Sequence, residues 1–181
     1  MKKRTANKPA VVLTIGHSTR GLEAFIGLLQ AHGVTCVVDV RTVPRSRHNP
    51  QFNKENLPEA LRAAGIAYEH MPGLGGLRHT RADSPNQGWR NASFRGYADY
   101  MQTDEFRENL EVLIARARKD RAALLCAEAV PWRCHRSLVA DALSVRGIPV
   151  EHILGGARTQ THKLTPFARV RGTRITYPGK A

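Results

Sequence analysis

The chain has 181 residues and a hydrophobic content of 41%, enough for one domain with a full core and incompatible with a disordered polymer. No apolar run approaches the roughly 18 residues of a membrane helix, which excludes a helical span and leaves no membrane partner to expect. Lys plus Arg number 28 against 15 Asp plus Glu, a net charge of +13 that favours an anionic partner such as a nucleotide, nucleic acid or other phosphate compound over a merely basic soluble protein.

Val11 to Ile15 reads as a buried strand, ended by Gly16-His17-Ser18-Thr19. Leu22, Phe25, Ile26, Leu28 and Leu29 then fall at helical spacing, with Gly33 as the stop. Cys36 to Val40 is a second strand, with Asp39 at its end and Arg41 just beyond. Pro44 to Pro50 is a loop, Leu57 to Ala64 a second helix, and Ala67 to His70 a short third strand before the turn Pro72-Gly73-Leu74-Gly75-Gly76. Residues 77–95 show no periodicity, and a loop of that length is more often functional than idle. One long helix is expected from Tyr97 to Arg118, then a fourth strand from Ala122 to Cys126, a helix from Ser137 to Val145, and a last strand from Val150 to Leu154. Strands alternating with helices imply a single α/β domain over residues 10–156, mainly parallel with helices on both faces. Residues 157–181 read as a basic C-terminal extension; from Arg158 onward there are six Lys or Arg and no acid. It could lie along a phosphate backbone or be partly disordered. The basic start Met1-Lys2-Lys3-Arg4 leads to an apolar stretch too short for a secretory signal, so a cytoplasmic location is the expectation.

In such a sheet, ligands bind beyond the carboxyl ends of the strands, and that edge is where the polar groups stand. His17 and Ser18 follow the first strand, Asp39 and Arg41 the second, His70 the third, and Cys126 and Glu128 the fourth. Glu128 could serve as general acid or nucleophile, with Asp39 and His17 assisting; the plain alternative is that both carboxylates pair with arginines. Arg41, Arg45 and Arg47 suit bidentate phosphate recognition, against the alternative of a solvated basic loop. Cys126 could be a nucleophilic thiolate if arginines and a helix start depress its pKa, or a small buried strand residue. Cys134-His135-Arg136 looks like a helix entry that would hold an anion. The three cysteines, Cys36 included, suggest no disulfide framework, and the spacing of Cys126, Cys134 and His135 matches no structural zinc pattern, so no metal is assigned and cofactors stay open. Tyr97 and Tyr100 lie on one helical face, where a base could stack or the rings could simply pack in the core.

Taken in order, Thr14-Ile15-Gly16-His17-Ser18-Thr19, Val38-Asp39-Val40-Arg41 with Pro44-Arg45-Ser46-Arg47, Asn49-Pro50-Gln51-Phe52, Leu74-Gly75-Gly76, Gly96-Tyr97-Ala98-Asp99-Tyr100-Met101 and Cys126-Ala127-Glu128 with Cys134-His135-Arg136 form a specific set. On these motifs the chain resembles the family called domain of unknown function 488. The resemblance covers about residues 12–154 and implies a compact α/β domain; it supplies no reaction.

Three functions are therefore weighed. The first is an enzyme acting on a nucleotide or nucleic acid, with phosphate held by arginines and acid/base or glycosidic chemistry at Glu128 or Asp39. The second is a thiolate enzyme of rhodanese or phosphatase type, though those sites cradle the cysteine just before the helix. The third is a non-catalytic nucleic-acid-binding module, which explains the charge but not the Cys, Glu, His and Asp at the strand ends. The first is preferred.

Overall fold

The computed structural model describes residues 10–180; Met1 to Arg4 lie outside them. Strands β1 (Val12–Gly16), β2 (Cys36–Asp39), β3 (Ala67–His70), β4 (Ala122–Cys126) and β5 (Val150–Gly155) run parallel in the order β3-β2-β4-β1-β5. A sixth strand, β6 (Arg158–Thr161), pairs antiparallel with β5 at the edge. This is the expected mainly parallel α/β sheet. β1, β2 and β4 are buried along their whole length, which is why they read as unbroken apolar runs instead of alternating ones.

Helices cover both faces. α1 (Leu22–Ala31) and α2 (Leu57–Ala63) bury Phe25, Leu29, Leu57 and Leu61 against Leu13, Ile15 and Leu125. On the other face α3 (Ala92–Tyr100), α4 (Asp104–Lys119) and α5 (Arg136–Ser144) set Tyr97, Leu110, Leu113 and Leu138 against Val12, Val38 and Leu124.

The single helix expected from Tyr97 to Arg118 is two. Thr103 has extended backbone and its hydroxyl accepts the Phe106 N–H at 3.2 Å, while Asp104 and Glu105 occupy the first turn of α4. That N-cap and the acidic first turn outweigh the apolar periodicity that runs through both helices. The irregular stretch before α3 also ends sooner than expected, at Asn91, whose side-chain oxygen accepts the Ser93 N–H at 2.8 Å.

The segment read as an extension is held to the domain. Besides β6 it forms a hairpin of β7 (Arg169–Arg171) and β8 (Arg174–Thr176), and Tyr177 is fully buried. Its anchor is Asp141 of α5, itself buried. The carboxylate accepts hydrogen bonds from the Tyr177 hydroxyl (2.7 Å), the Thr165 hydroxyl (2.7 Å) and backbone N–H (3.2 Å), and His162 Nε2 (2.7 Å). Once His162 donates from Nε2, its Nδ1 must accept, and it does so from His152 Nε2 at 2.9 Å. His152 Nδ1 in turn accepts the Thr14 hydroxyl at 2.6 Å. The donors all point one way, toward the carboxylate. Burial lowers the His152 pKa to about 3 and keeps it neutral.

A buried carboxylate that loses one donor bears the desolvation of the unpaired oxygen. Tyr177→Phe is therefore expected to lower stability by about 1–3 kcal/mol, read as a fall in the urea midpoint at unchanged slope.

Candidate active site

The chain leaves β4 toward α5 on one face, whereas it leaves the flanking strands β1 and β2 toward α1 and α2 on the other. Connections diverging from neighbouring strands open a crevice at their carboxyl ends. Into this edge the chain brings His17, Asp39, Arg41 and Cys126, with Cys134, His135 and Arg136 following from the β4–α5 loop.

The end of β1 is stitched to that loop. His17 N–H donates to the Cys126 carbonyl at 3.0 Å and Ser18 N–H to the Ala127 carbonyl at 2.9 Å. Gly16 lies so close to the Glu128 carbonyl that a Cβ would overlap it, which explains the glycine at this strand end. Ser18 takes a left-handed φ of 49°, a conformation costing of order 1–3 kcal/mol for a non-glycine residue. The strand-end bonds hold it there, and its carbonyl accepts His17 Nδ1–H at 2.8 Å. That bond fixes the tautomer and leaves His17 Nε2 as a buried acceptor without a partner. Burial also lowers the His17 pKa, so the ring is a neutral base; it stacks on Phe52 at 4.5 Å.

Asp39 and Arg41 satisfy each other. Arg41 donates from Nε and Nη2 to the two carboxylate oxygens at 2.9 and 2.7 Å, and from Nη2 to the Phe52 carbonyl at 2.8 Å. Tyr68, which sequence reading passed over on a short strand, donates its hydroxyl to Asp39 at 2.5 Å. Burial and the carboxylate raise the Tyr68 pKa, so it remains a donor. This is the pairing weighed as the plain alternative for Asp39, and it occupies the Arg41 fork.

The other arginine is answered differently. Arg136, at the start of α5, has 0% exposure. Its Nη1 donates to the Glu128 carbonyl at 2.6 Å and to Cys126 Sγ, and its Nη2 to the Ala129 carbonyl at 3.1 Å. Nε has no partner. A guanidinium is always charged, and a buried charge demands a counter-charge. Among these partners only Cys126 can supply one, as thiolate. Cys134 lies with its sulfur 2.6 Å from that of Cys126 and donates its S–H to it. Burial pushes the Cys126 thiol up, but the Cys134 hydrogen bond and the charge of Arg136 outweigh it and lower the pKa to about 7. Burial and the neighbouring Cys126 raise Cys134, which keeps its proton.

His135 donates from Nε2 to the Val40 carbonyl at 2.9 Å, tying the loop to β2. Burial lowers its pKa to about 4, with Arg136 contributing, so it is neutral. Gly76 leaves it room, since a Cβ there would stand 2.6 Å from His135 Nδ1. The carboxylate of Glu128 is exposed and faces no arginine in an ion pair among the described residues; its backbone carbonyl is what Arg136 holds. Arg45 and Arg47 are exposed on the loop after β2, and Arg45 reaches Glu55 at 3.5 Å. Tyr97 is fully buried with its hydroxyl on the Leu74 carbonyl at 2.9 Å, and the Tyr100 ring lies under the Arg78 guanidinium at 3.6 Å, so both rings are packed. Among the described residues no three His, Cys, Asp or Glu side chains converge as a metal would require.

A family model described as domain of unknown function DUF488 matches residues 21–143, inside the span of the resemblance but starting after His17 and Ser18. No curated protein and no solved structure matches the chain.

The thiolate gives a pH signature. A thiol lowered on folding from about 8.5 stabilises the fold fully above that value and loses the contribution as pH falls through about 7. Thiolate ultraviolet absorbance should rise through pH ~7 and lose that transition in Cys126→Ser. The increase in urea midpoint between about pH 6 and 8 should shrink in the same variant. Arg136→Met should cost on the order of 3–5 kcal/mol, since it strands the thiolate.

Proposed function

We propose that this chain, which belongs to the DUF488 family, is an enzyme that works through the Cys126 thiolate on a phosphate-bearing substrate, a nucleotide or nucleic acid. The observation that carries the reading is the fully buried Arg136 guanidinium set against Cys126. A small structural cysteine has no use for a buried cation, whereas a nucleophile does. The substrate class rests on the net charge of +13 and on the exposed Arg45 and Arg47 beside the crevice.

In this scheme the thiolate attacks the electrophilic atom of the substrate, and the new bond to sulfur forms as the bond to the leaving group breaks. A proton from solvent reaches the leaving group through Glu128, on the same loop. Water, losing a proton to His17 Nε2, then bonds to the sulfur-bound atom as its bond to sulfur breaks, which releases the second product and restores the thiolate, and His17 returns the proton to solvent. Cys134 holds Cys126 in its charged form through the S–H bond. Cys126 is 2% exposed, so loop residues 127–133 open to admit substrate. Ser18 and His135 position the strand ends. Asp39 and Arg41, already neutralised by each other, brace His17 and Phe52 and leave phosphate to Arg45 and Arg47. Cys126 ends β4 ten residues before Arg136 opens α5, a longer approach than the tight cradle of the rhodanese or phosphatase reading, and Cys134 is the cysteine beside the helix start.

A non-catalytic nucleic-acid-binding module is the second reading, and the charge favours it. The two separate cleanly. With a panel of nucleotides and oligonucleotides, Cys126→Ser is expected to lower turnover at least about a thousandfold while leaving affinity for single strands within about twofold. If Glu128→Gln abolishes turnover and Cys126→Ser does not, the carboxylate is the reactive group and the thiolate proposal fails. If binding falls steeply with salt and no variant alters any turnover, the binding module stands instead.

A further inference from the structure

On the far side of the β4–α5 loop lies a cavity of about 330 Å³ that the scheme above does not use. Its walls come from Pro131 and Trp132 of that loop, from Trp89, from His152 and His162 of the buried network, and from Lys163 and Phe167 of the C-terminal segment. Three aromatic side chains border it. Trp132 is 59% exposed and Phe167 38%, large apolar surfaces that a soluble domain seldom leaves uncovered without use. Trp89 meets Phe167 edge-on at 4.8 Å, and its indole N–H is buried without a partner among the described residues.

The rim is cationic. Lys163 is exposed at the cavity, while the carboxylate behind it, Asp141, has its oxygens filled by Tyr177, Thr165 and His162. The histidines are also occupied, with each other, Thr14 and Asp141. The rigid relay thus forms the floor and Lys163 the free charge. A cavity at the small end of the ligand-pocket range, walled by aromatic faces and edged by one ammonium, fits a flat heteroaromatic ring bearing an anion.

We propose that this cavity binds a nucleobase carrying a 5′-phosphate, with the ring against Trp132 and Phe167 and the phosphate at Lys163. The chemistry is common to a free nucleoside monophosphate and to the phosphorylated end of a strand. The proposal needs no reaction at Cys126, so the two can fail separately.

Trp89 and Trp132 are the only tryptophans of the chain, and both line the cavity, so intrinsic fluorescence reports its occupancy directly. The full chain is titrated with the four nucleoside 5′-monophosphates, the matching nucleosides, inorganic phosphate and a short 5′-phosphorylated oligonucleotide, with calorimetry as a check on optical artefacts. A saturable change is expected for at least one monophosphate. Its affinity should fall at least about tenfold in Trp132→Ala, an exposed position whose loss leaves Trp89 as reporter. Lys163→Met should bring the monophosphate down to the affinity of its nucleoside. Tighter binding of the oligonucleotide than of the monophosphate identifies a strand end as the natural source, and the reverse identifies a free nucleotide. No saturable response to any monophosphate or to the oligonucleotide, an equal response to inorganic phosphate alone, or an affinity indifferent to Trp132→Ala overturns the proposal. If the thiolate titration persists while this binding is absent, only the cavity assignment falls.

Discussion

Arg136 is a full positive charge without water. Its guanidinium sits at the start of α5 beneath the end of β4, and the surrounding chain is bent to meet it. The carbonyls of Glu128 and Ala129 turn inward to accept from it, which draws the loop across the end of β1. That draw is what brings the Glu128 carbonyl against Gly16 and leaves no room for a side chain there. Carbonyl dipoles satisfy hydrogen bonds but do not cancel a charge, and cancellation falls to Cys126. The thiolate is therefore as much a structural requirement of a buried arginine as a preparation for chemistry. The proposed chemistry draws on a group that the fold itself must ionise.

α5 carries a second buried charge five residues later, and it is met by the opposite device. Among the described residues Asp141 has no Lys or Arg against it; Tyr177, Thr165 and His162 of the C-terminal segment take its lone pairs. The two charges on one helix remain separate because residues five apart do not share a helical face. Both bear on His152, where the charge of Arg136 lowers the pKa and that of Asp141 raises it, yet burial dominates and the imidazole is neutral. One end of α5 thus binds the loop at the sheet edge and the middle binds the chain's last segment. A disturbance at either charge will be felt along the same helix.

The parts of this design differed in how visible they were beforehand. The parallel strands were legible because a strand buried on both faces must be an apolar run, and their ends were legible because a polar residue stops the run abruptly. Thr103-Asp104-Glu105 carried an N-cap signal, but the apolar spacing from Tyr97 to Ile114 was stronger to the eye and the two helices read as one. The C-terminal segment looked loose since its strands are short, polar and basic. Its attachment depends on single residues, His162, Thr165 and Tyr177, whose common partner lies 21 to 36 positions away. No local pattern encodes such a contact. The same holds within the site. Asp39 with Arg41 is a pairing across two residues and could be weighed from sequence. The choice of Cys126 instead of the Glu128 carboxylate as the partner of Arg136 could not, because side chains two apart on an extended chain point to the same side and either could face it.

Topology decides why this choice falls at β4 and nowhere else. β4 is central, with β2 and β1 on either side, and both neighbours send their chains to the face opposite its own. The crevice so formed is flanked by the ends of β1 and β2, which are already rigid: one is pinned by backbone bonds to Cys126 and Ala127, the other by the Asp39–Arg41 fork. Beyond Ala127, the β4–α5 loop is tied down chiefly by the Arg136 guanidinium and His135. A site needs rigid groups to orient a reaction and one movable element to admit the reactant. Under the proposed scheme the sheet supplies the first on two sides, and the hydrogen bonds from Arg136 to the loop are those that its opening would break.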